Sequence, residues 1–449
     1  MSASAPPRDR PLRVLVVAHG YPPHEHAGAE LCAHWLARAL AARGHAVTVF
    51  ARGGHADLPE LALTREAFEG LPVTRVRTRP ERATSLRATY LDPRVTAVFA
   101  RELAAAAAAG RPYDVVHFHH TIGLSIDLIE AAKQSGARVI ATLHDFWFLC
   151  PRGQRMTPGG HLCREIEPER CSRCIAKKRV KWALNAALAA PLSFLAELPG
   201  YVAENLHTRA IRRRTREIVA QLNRCDRLLA PSLFVLDEHI RHGIDPSLVR
   251  HFENGIDPRF AAMLPARPAP AALAAPVRFG YVGSFLPSKG VDLLVTAFQE
   301  IRRGTATLDL HGTSPWDGGR FARAVAAANG HPGARFNGSF DHDRLAEILA
   351  NLDVLVVPSR WFENAPVTLD EAALARIPVI VADQGGMQET LARRRNGVAF
   401  RPDDALDLAR QMQRFIDEPG LWAALRDPAT PVRTADEAAS EFERLVRAL

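Results

Sequence analysis

With 449 residues, 47% hydrophobic and 24% charged, the chain is long enough for two domains with separate cores and too apolar for a disordered one. Its net charge of +8 fits acidic partners, but no recognition-helix, zinc-finger or aromatic-and-basic sheet pattern accompanies it, which argues against nucleic acid. There is no apolar run of roughly 18 residues and no signal-peptide core at the start, so no membrane span or secretion signal is predicted and the cytoplasm is the expected address. Of 57 basic residues only five are lysines (Lys133, Lys177, Lys178, Lys181 and Lys289), so each lysine stands out in a chain that uses arginine by default.

In chain order, "RVLVVAHG", "AVTVFAR", "DVVHFHH", "RVIATLHD" and "DRLLAPS" read as short, continuously apolar strands. Amphipathic stretches such as "GAELCAHWLARALAARG" lie between several of them, the pattern of a parallel sheet covered on both faces. The loop after the first strand, "AHGYPPHEHAGAE", lacks G-x-G-x-x-G, which argues against a nicotinamide dehydrogenase. Gly28 stands just before a helix predicted to begin near Ala29. A glycine there lets backbone amides approach an anion, although a plain helix-start glycine reads the same way.

Cys150, Cys163, Cys171 and Cys174 follow in the Gly-, Pro- and Arg-rich stretch 149–174, spaced C-x12-C-x7-C-x2-C. Four thiolates fit a tetrahedral structural zinc. Free thiols, redox pairing and an iron–sulfur cluster are the alternatives, and a cytoplasmic address argues against disulfides. Residues 176–219 set an apolar stretch between basic clusters. They read either as an amphipathic helix pair on an anionic membrane surface or as a core-packed helical insert.

The Pro/Ala-rich run 260–276 has linker composition. Beyond it, "VRFGYVGS", "TLDLHG", "DVLVVPS" and "PVIVAD" repeat the strand pattern, with helices predicted to start near Lys289, Asp341, Pro366 and Met387. The fold expected is α/β: two doubly wound Rossmann-like domains facing across a cleft. The first spans 1–258 with an insert at 146–220, the linker 259–276, and the second domain 277–434. Ligands in such sheets bind beyond the carboxyl ends of the strands.

Two stretches of the second half carry unusual residues at such ends. In "YVGSFLPSKGVDLL" the only lysine of that half, Lys289, follows a strand and a glycine turn; a phosphate contact is one reading and a solvated lysine the other. In "WFENAPVTLDEA" Pro366 suits a first helical turn, and the amides of Val367 and Thr368 would point outward toward a diphosphate. Glu371 could accept two hydrogen bonds from a vicinal diol such as ribose, with Glu363 aimed at the cleft; the plain reading makes Glu371 a surface residue and Glu363 a loop residue.

"ENAPVTLDEA" resembles the E-x7-E element of retaining glycosyltransferases of family 4, which have the two-domain GT-B fold. The resemblance covers nearly the whole chain in the expected order: the loop with Gly28, His144 in "TLHD", "ENGID" (253–257), "GSFLPSKG", the E-x7-E element and "DQGGMQE" (383–389). It implies a nucleotide-sugar donor and a glycan or lipid-linked acceptor. Lys289 would neutralise the donor diphosphate, with Gly283 and Ser284 in the turn before it and Gly28 approaching the phosphates. Glu371 would bind the ribose hydroxyls, while Glu363, Asn364 and Ala365 would lie against the transferred sugar and His144 near the reacting centre. Asn254 and Gly255 would shape the cleft.

The helix at 435–449 would cross back onto the first domain, as in the family. Ser284 departs from the family, which often has arginine there, so half of the usual cationic clamp is missing from that position. No D-x-D motif stands where it would hold a catalytic metal, and retention is implied by the resemblance. The rivals are a GT-B epimerase or phosphorylase and a non-catalytic glycan- or lipid-binding relative.

Overall fold

The computed structural model describes residues 10–54, 57–83, 85–175, 198–266, 273–313, 319–327, 329–418 and 420–449. Part of the expected linker (267–272) and of the basic-flanked insert (176–197) therefore lies outside the described residues. Two compact units emerge. The first comprises the residues up to Gly159, Cys163–Gly255 and Ala435–Leu449; the second comprises Ile256–Thr434 with Gly160–Leu162.

In the first unit the strands are β1 (Arg13–Ala18), β2 (Ala46–Arg52), β3 (Leu63–Phe68), β4 (Leu71–Val76), β5 (Val115–Phe118), β6 (Arg138–Thr142), β7 (Arg227–Ala230) and β8 (Val249–His251). They form one sheet in the order β3-β4-β2-β1-β5-β6-β7-β8. Every neighbouring pair is parallel except the β3–β4 hairpin, which is antiparallel. Helices α1 (Gly28–Ala42), α2 (Pro93–Ala108), α3 (Leu128–Gln134), α4 (Leu198–Leu222) and α5 (Leu233–Arg241) accompany this sheet. Strands β5, β6 and β7 are almost wholly apolar and buried because helices cover both faces.

Within the second unit, α6 (Pro258–Met263) precedes β9 (Val277–Val282), α7 (Val291–Gln299), β10 (Ala306–His311), α8 (Arg320–Ala327), β11 (Ala334–Gly338), α9 (Leu345–Ala350) and β12 (Val354–Val357). Then come α10 (Val367–Leu374), β13 (Val379–Ala382), α11 (Gly385–Arg394), β14 (Gly397–Phe400), α12 (Ala405–Asp417) and α13 (Leu421–Leu425). The sheet is parallel in the order β11-β10-β9-β12-β13-β14.

A last helix, α14 (Ala435–Ala448), belongs to the first unit. Its Ala438, Ala439, Phe442 and Val446 share a buried cluster with Ala33, Leu36 and Leu40 of α1 and with Val14, Val47 and Val49 of the sheet. Burying Phe442 and Val446 contributes about 1.5–3 kcal/mol each. Arg43 and Arg447 both donate to the Glu443 carboxylate at the rim of this contact.

Strand order reverses between β1 and β5 in the first sheet and between β9 and β12 in the second. At such switch points the connections leave in opposite directions and open a crevice at the carboxyl ends of the strands.

Candidate active site

At the switch point of the second unit three loops are laced together. The turn after β9 ends in a short 3₁₀ segment, Pro287–Lys289, and Gly290 then caps α7 with φ of 69°. A Cβ on Gly290 would stand 2.1 Å from the Pro358 carbonyl oxygen, so only glycine lets this turn sit against the end of β12. The Arg360 and Trp361 amides donate to the Ser288 carbonyl at 2.8 and 3.3 Å. From the third loop, Gln384 donates to the Ser359 carbonyl and the Gly386 amide to that of Glu363.

This lacing carries Lys289 onto Glu363. The Lys289 ammonium donates to Glu363 Oε1 at 2.7 Å, and the Ser359 hydroxyl reaches the same oxygen at 2.7 Å. Beneath the ammonium lies the Trp361 ring, its centroid 4.9 Å away. Glu363 is only 5% exposed, so its charge rests on these two partners. Ser284 sits in the turn held by the Tyr281 hydroxyl, which donates to the Ser284 carbonyl. Nearby Arg360 is already bound to Asp292 and Asp403, at 2.6 and 2.7 Å.

Pro366 is the residue before α10, with an extended ψ of 118°, and not part of its first turn as the spacing suggested. Proline lacks the amide that would continue the helix backward, so Val367 and Thr368 open it and their amides fall among the four without intrahelical partners. Asn364 is buried, and Ala365, Val367 and Thr368 are half-buried. Glu371 is buried one turn in, where desolvation pushes its carboxyl above the usual range. His342 Nε2 stands 3.4 Å from Glu371 Oε1, and that carboxylate raises the imidazole's own pKa. Nothing in "SFDHDRL" marked His342: one histidine in a polar loop carries no pattern, and its partner lies about thirty residues on.

In the first unit, β1, β5 and β6 are neighbours, and their ends gather histidines. His19 Nε2 pairs with Glu30 Oε1 at 3.0 Å, and its ring centroid lies 4.5 Å from that of His120. His120 Nε2 faces Asp145 Oδ1 at 3.2 Å, and Phe148 stacks on its ring. His144 is half-buried, its Nε2 2.9 Å from Nδ1 of His119. Desolvation, with like-charged neighbours, holds His144 and His117 down at about 3 and His119 well below its usual value, so these three imidazoles are neutral. Burial would raise Glu30, but hydrogen bonding to His19 outweighs it and holds the carboxyl at about 2. In sequence, "HFHH" reads only as a strand end. Its chemistry shows once the sheet order sets β5 beside β6.

Gly28 is itself the first residue of α1, one position earlier than expected, with the ionised Glu30 in the same turn. Asn254 is half-buried and Gly255 buried, in the loop that follows β8. Cys150, Cys163, Cys171 and Cys174 all line one cavity of about 290 Å³. No disulfide joins them, and among the described residues no three His, Cys, Asp or Glu side chains meet closely enough to hold a metal ion. Among the same residues no helix is long and apolar enough to cross a membrane.

Residues 26–179 match the model of "Glycosyltransferase Family 4", and residues 276–418 that of "Glycosyl transferases group 1". The chain belongs to glycosyltransferase family 4. Among its relatives, a glycogen synthase of Mycobacterium tuberculosis is 34% identical over 176 residues, 37% of this chain and 39% of that protein. A D-inositol 3-phosphate glycosyltransferase of Streptomyces bingchenggensis is 28% identical over 221 residues, 44% of this chain and 47% of the relative. The chain thus spans less than half the length of each.

Solved structures share the GT-B fold over nearly the full length. Anabaena HepE in complex with UDP and glucose superimposes with a TM-score of 0.66 at 16% identity, covering 98% of this chain and 100% of that one. A sucrose-phosphate synthase from Thermosynechococcus elongatus gives 0.62 at 19%, covering 97% and 96%.

Proposed function

We propose that the chain is a retaining glycosyltransferase that moves a sugar from a nucleotide-sugar donor to a glycan or lipid-linked acceptor. The observation that carries this reading is the Lys289–Glu363 pair at the switch point, set beside the N-terminus of α10. Without donor, the two charges satisfy each other. An arriving diphosphate competes for the ammonium, and the released Glu363 carboxylate is then an acceptor for sugar hydroxyls. Val367 and Thr368 amides add donors where a helix dipole already favours negative charge. Glu371, one turn further in, takes the ribose hydroxyls.

Breaking the bond between C1 and the phosphate oxygen leaves an oxocarbenium-like sugar and adds negative charge to the diphosphate. Lys289 and the amides hold that charge more strongly in the transition state than in the ground state, which is what accelerates the step. The acceptor oxygen bonds to C1 on the face the phosphate leaves, and its proton passes to the departing phosphate. The scheme uses protein groups alone, so a metal at the cysteine loop would be structural. His144 and the neutral histidines beside it supply polar groups that neither repel nor protonate an incoming acceptor.

HepE is crystallised with UDP-glucose and a starch synthase of the same fold with ADP, which supports a nucleoside diphosphate sugar as the donor class. A thermal-shift panel of UDP-, ADP- and GDP-sugars tests the reading. A donor at a hundred times its Kd adds about 2.7 kcal/mol to stability. The reading fails if no nucleotide sugar moves the midpoint and Lys289→Met leaves every response as it was. Conversion of donor without acceptor would instead indicate an epimerase.

A further inference from the structure

We propose that Cys150, Cys163, Cys171 and Cys174 bind one zinc ion as a tetrathiolate site, and that this ion fixes the segment carrying Asp145. The four thiols come from a turn, a loop and one short helical stretch, yet all line the same cavity. Cys150 and Cys171 are each only 7% exposed. No disulfide joins any two of them.

The stretch between the first and third cysteine explains why a metal is needed. Residues 151–166 contain neither helix nor extended strand, and Met156 is the buried apolar side chain among them. So little apolar burial cannot offset the entropy of ordering such a loop. A structural zinc supplies that cross-link directly, and C-x2-C, here Cys171 and Cys174, is the recurrent half of such sites. The sulfurs ring the cavity and do not yet meet in it, so ligation draws this stretch inward.

The electrostatics fit a tetrathiolate. Zinc with four thiolates carries a net double negative charge. Arg155 donates to the Cys163 carbonyl, Arg170 lines the same cavity, and Arg214 holds the Trp147 and Phe148 carbonyls just ahead of Cys150. Arg155 is anchored from the far side by a buried ion pair with Glu238 of α5. Arg155 and Arg170 are already paired with Glu238 and Glu165, so the Arg214 guanidinium, bonded to backbone carbonyls, is the counter-charge that a dianion would draw on.

The same guanidinium of Arg214 links the cluster to the histidine row. It donates to the backbone carbonyls of Trp147 and Phe148 and lies over the Trp147 ring. The Trp147 amide donates to Asp145 Oδ1 at 2.7 Å, the oxygen that faces His120. The Cys150 amide closes onto the Phe146 carbonyl, so the turn from Asp145 to Cys150 has little slack. A change at the thiols therefore reaches Asp145 through five residues of tightly bonded chain.

The test is metal analysis of the full chain purified under reducing conditions, with about one zinc and no iron expected per chain. Blocking the thiols with a mercurial should release that zinc to a chromogenic chelator. Replacement by cobalt should give the intense visible and near-ultraviolet bands of tetrahedral thiolate ligation. Chelation should shift tryptophan fluorescence in the native chain and not in Trp147→Phe. Cys174→Ser should lose most of the zinc, while Cys225→Ser should keep it.

Stoichiometric iron, two disulfides in the native protein, or four freely titrating thiols in a folded metal-free chain would each overturn the proposal. Zinc without any nucleotide-sugar response would leave it standing and sink the donor reading, and the converse result would do the opposite.

Discussion

Gly386→Ala isolates the effect of space alone, since Gly386 has no left-handed backbone to strain an alanine. A Cβ there would fall 1.4 Å from the Asn364 carbonyl oxygen and 2.5 Å from its carbon, where ordinary contact begins at 3.4 Å. The shortfall is about 2 Å against backbone, which cannot swing aside as a side chain would. Relief requires α11 and the 362–365 loop to part, which also breaks the 2.8 Å bond from the Gly386 amide to the Glu363 carbonyl. Phe362, Glu363 and Asn364 are buried, so the loop has no empty space to enter. Overpacking of this kind costs about 1–3 kcal/mol, and more where backbone must move. Displacing the site by an ångström costs on the order of 100-fold in activity. Urea unfolding should show a lower midpoint at constant slope, and calorimetric titration at least a tenfold weaker donor. Gly420→Ala, which meets nothing within 4 Å, is the control and should stay within about 0.5 kcal/mol of the parent. If Gly386→Ala matches that control in both measurements, the lacing of these loops is not what holds Glu363 in place.

Lys289→Met should leave the buried Glu363 carboxylate with Ser359 as its remaining partner in the pair, lowering stability by about 1–3 kcal/mol. It should also cut kcat by about 100- to 1,000-fold. Adding Glu363→Gln should restore much of the stability but not the turnover, and a kcat within threefold of the parent would contradict the assigned role. Because burial raises the Glu371 carboxyl, its charge is lost at a higher pH than for an ordinary carboxylate as the solution is acidified. Donor KM should therefore climb early on the acid side; His342→Gln should move that limb higher still, and Glu371→Gln should abolish it. Burial would lift the Glu443 carboxyl, but hydrogen bonds from Arg447 and Arg43 outweigh it and hold it at about 2. A depressed pKa contributes stability that is present above about pH 4.5 and lost as pH falls toward 2. Urea midpoints measured from pH 6 to 3 should decline less steeply in Glu443→Gln.

Most of the architecture was legible because the strands of a covered parallel sheet are continuously apolar, and "DVLVVPS" or "RVIATLHD" admits few other readings. The β3–β4 hairpin was not, since "LTREAF" alternates weakly and three of its six residues are polar or charged. Lysine scarcity singled out Lys289 and the spacing of two glutamates singled out the 361–372 loop, both being local patterns. The ion pair joining them was not local: Gly290 permits it by letting one loop rest on another, 74 residues apart in sequence. His342 beside Glu371, and the neighbouring rings of His19, His119, His120 and His144, were illegible for the same reason. Each partner comes from a different element, and only strand order makes them neighbours.

Helix α14 sets an order of assembly. The second unit draws only on residues up to Thr434, and its two ends are stitched side by side where the Ile256 amide meets the Arg433 carbonyl at 2.9 Å. The first unit is made first but waits for Ala438, Ala439, Phe442 and Val446 before its cluster is closed. During synthesis, the matching apolar face of α1 and of the sheet stays open to water while nearly 180 intervening residues emerge and fold. The half that leads in the sequence therefore finishes last.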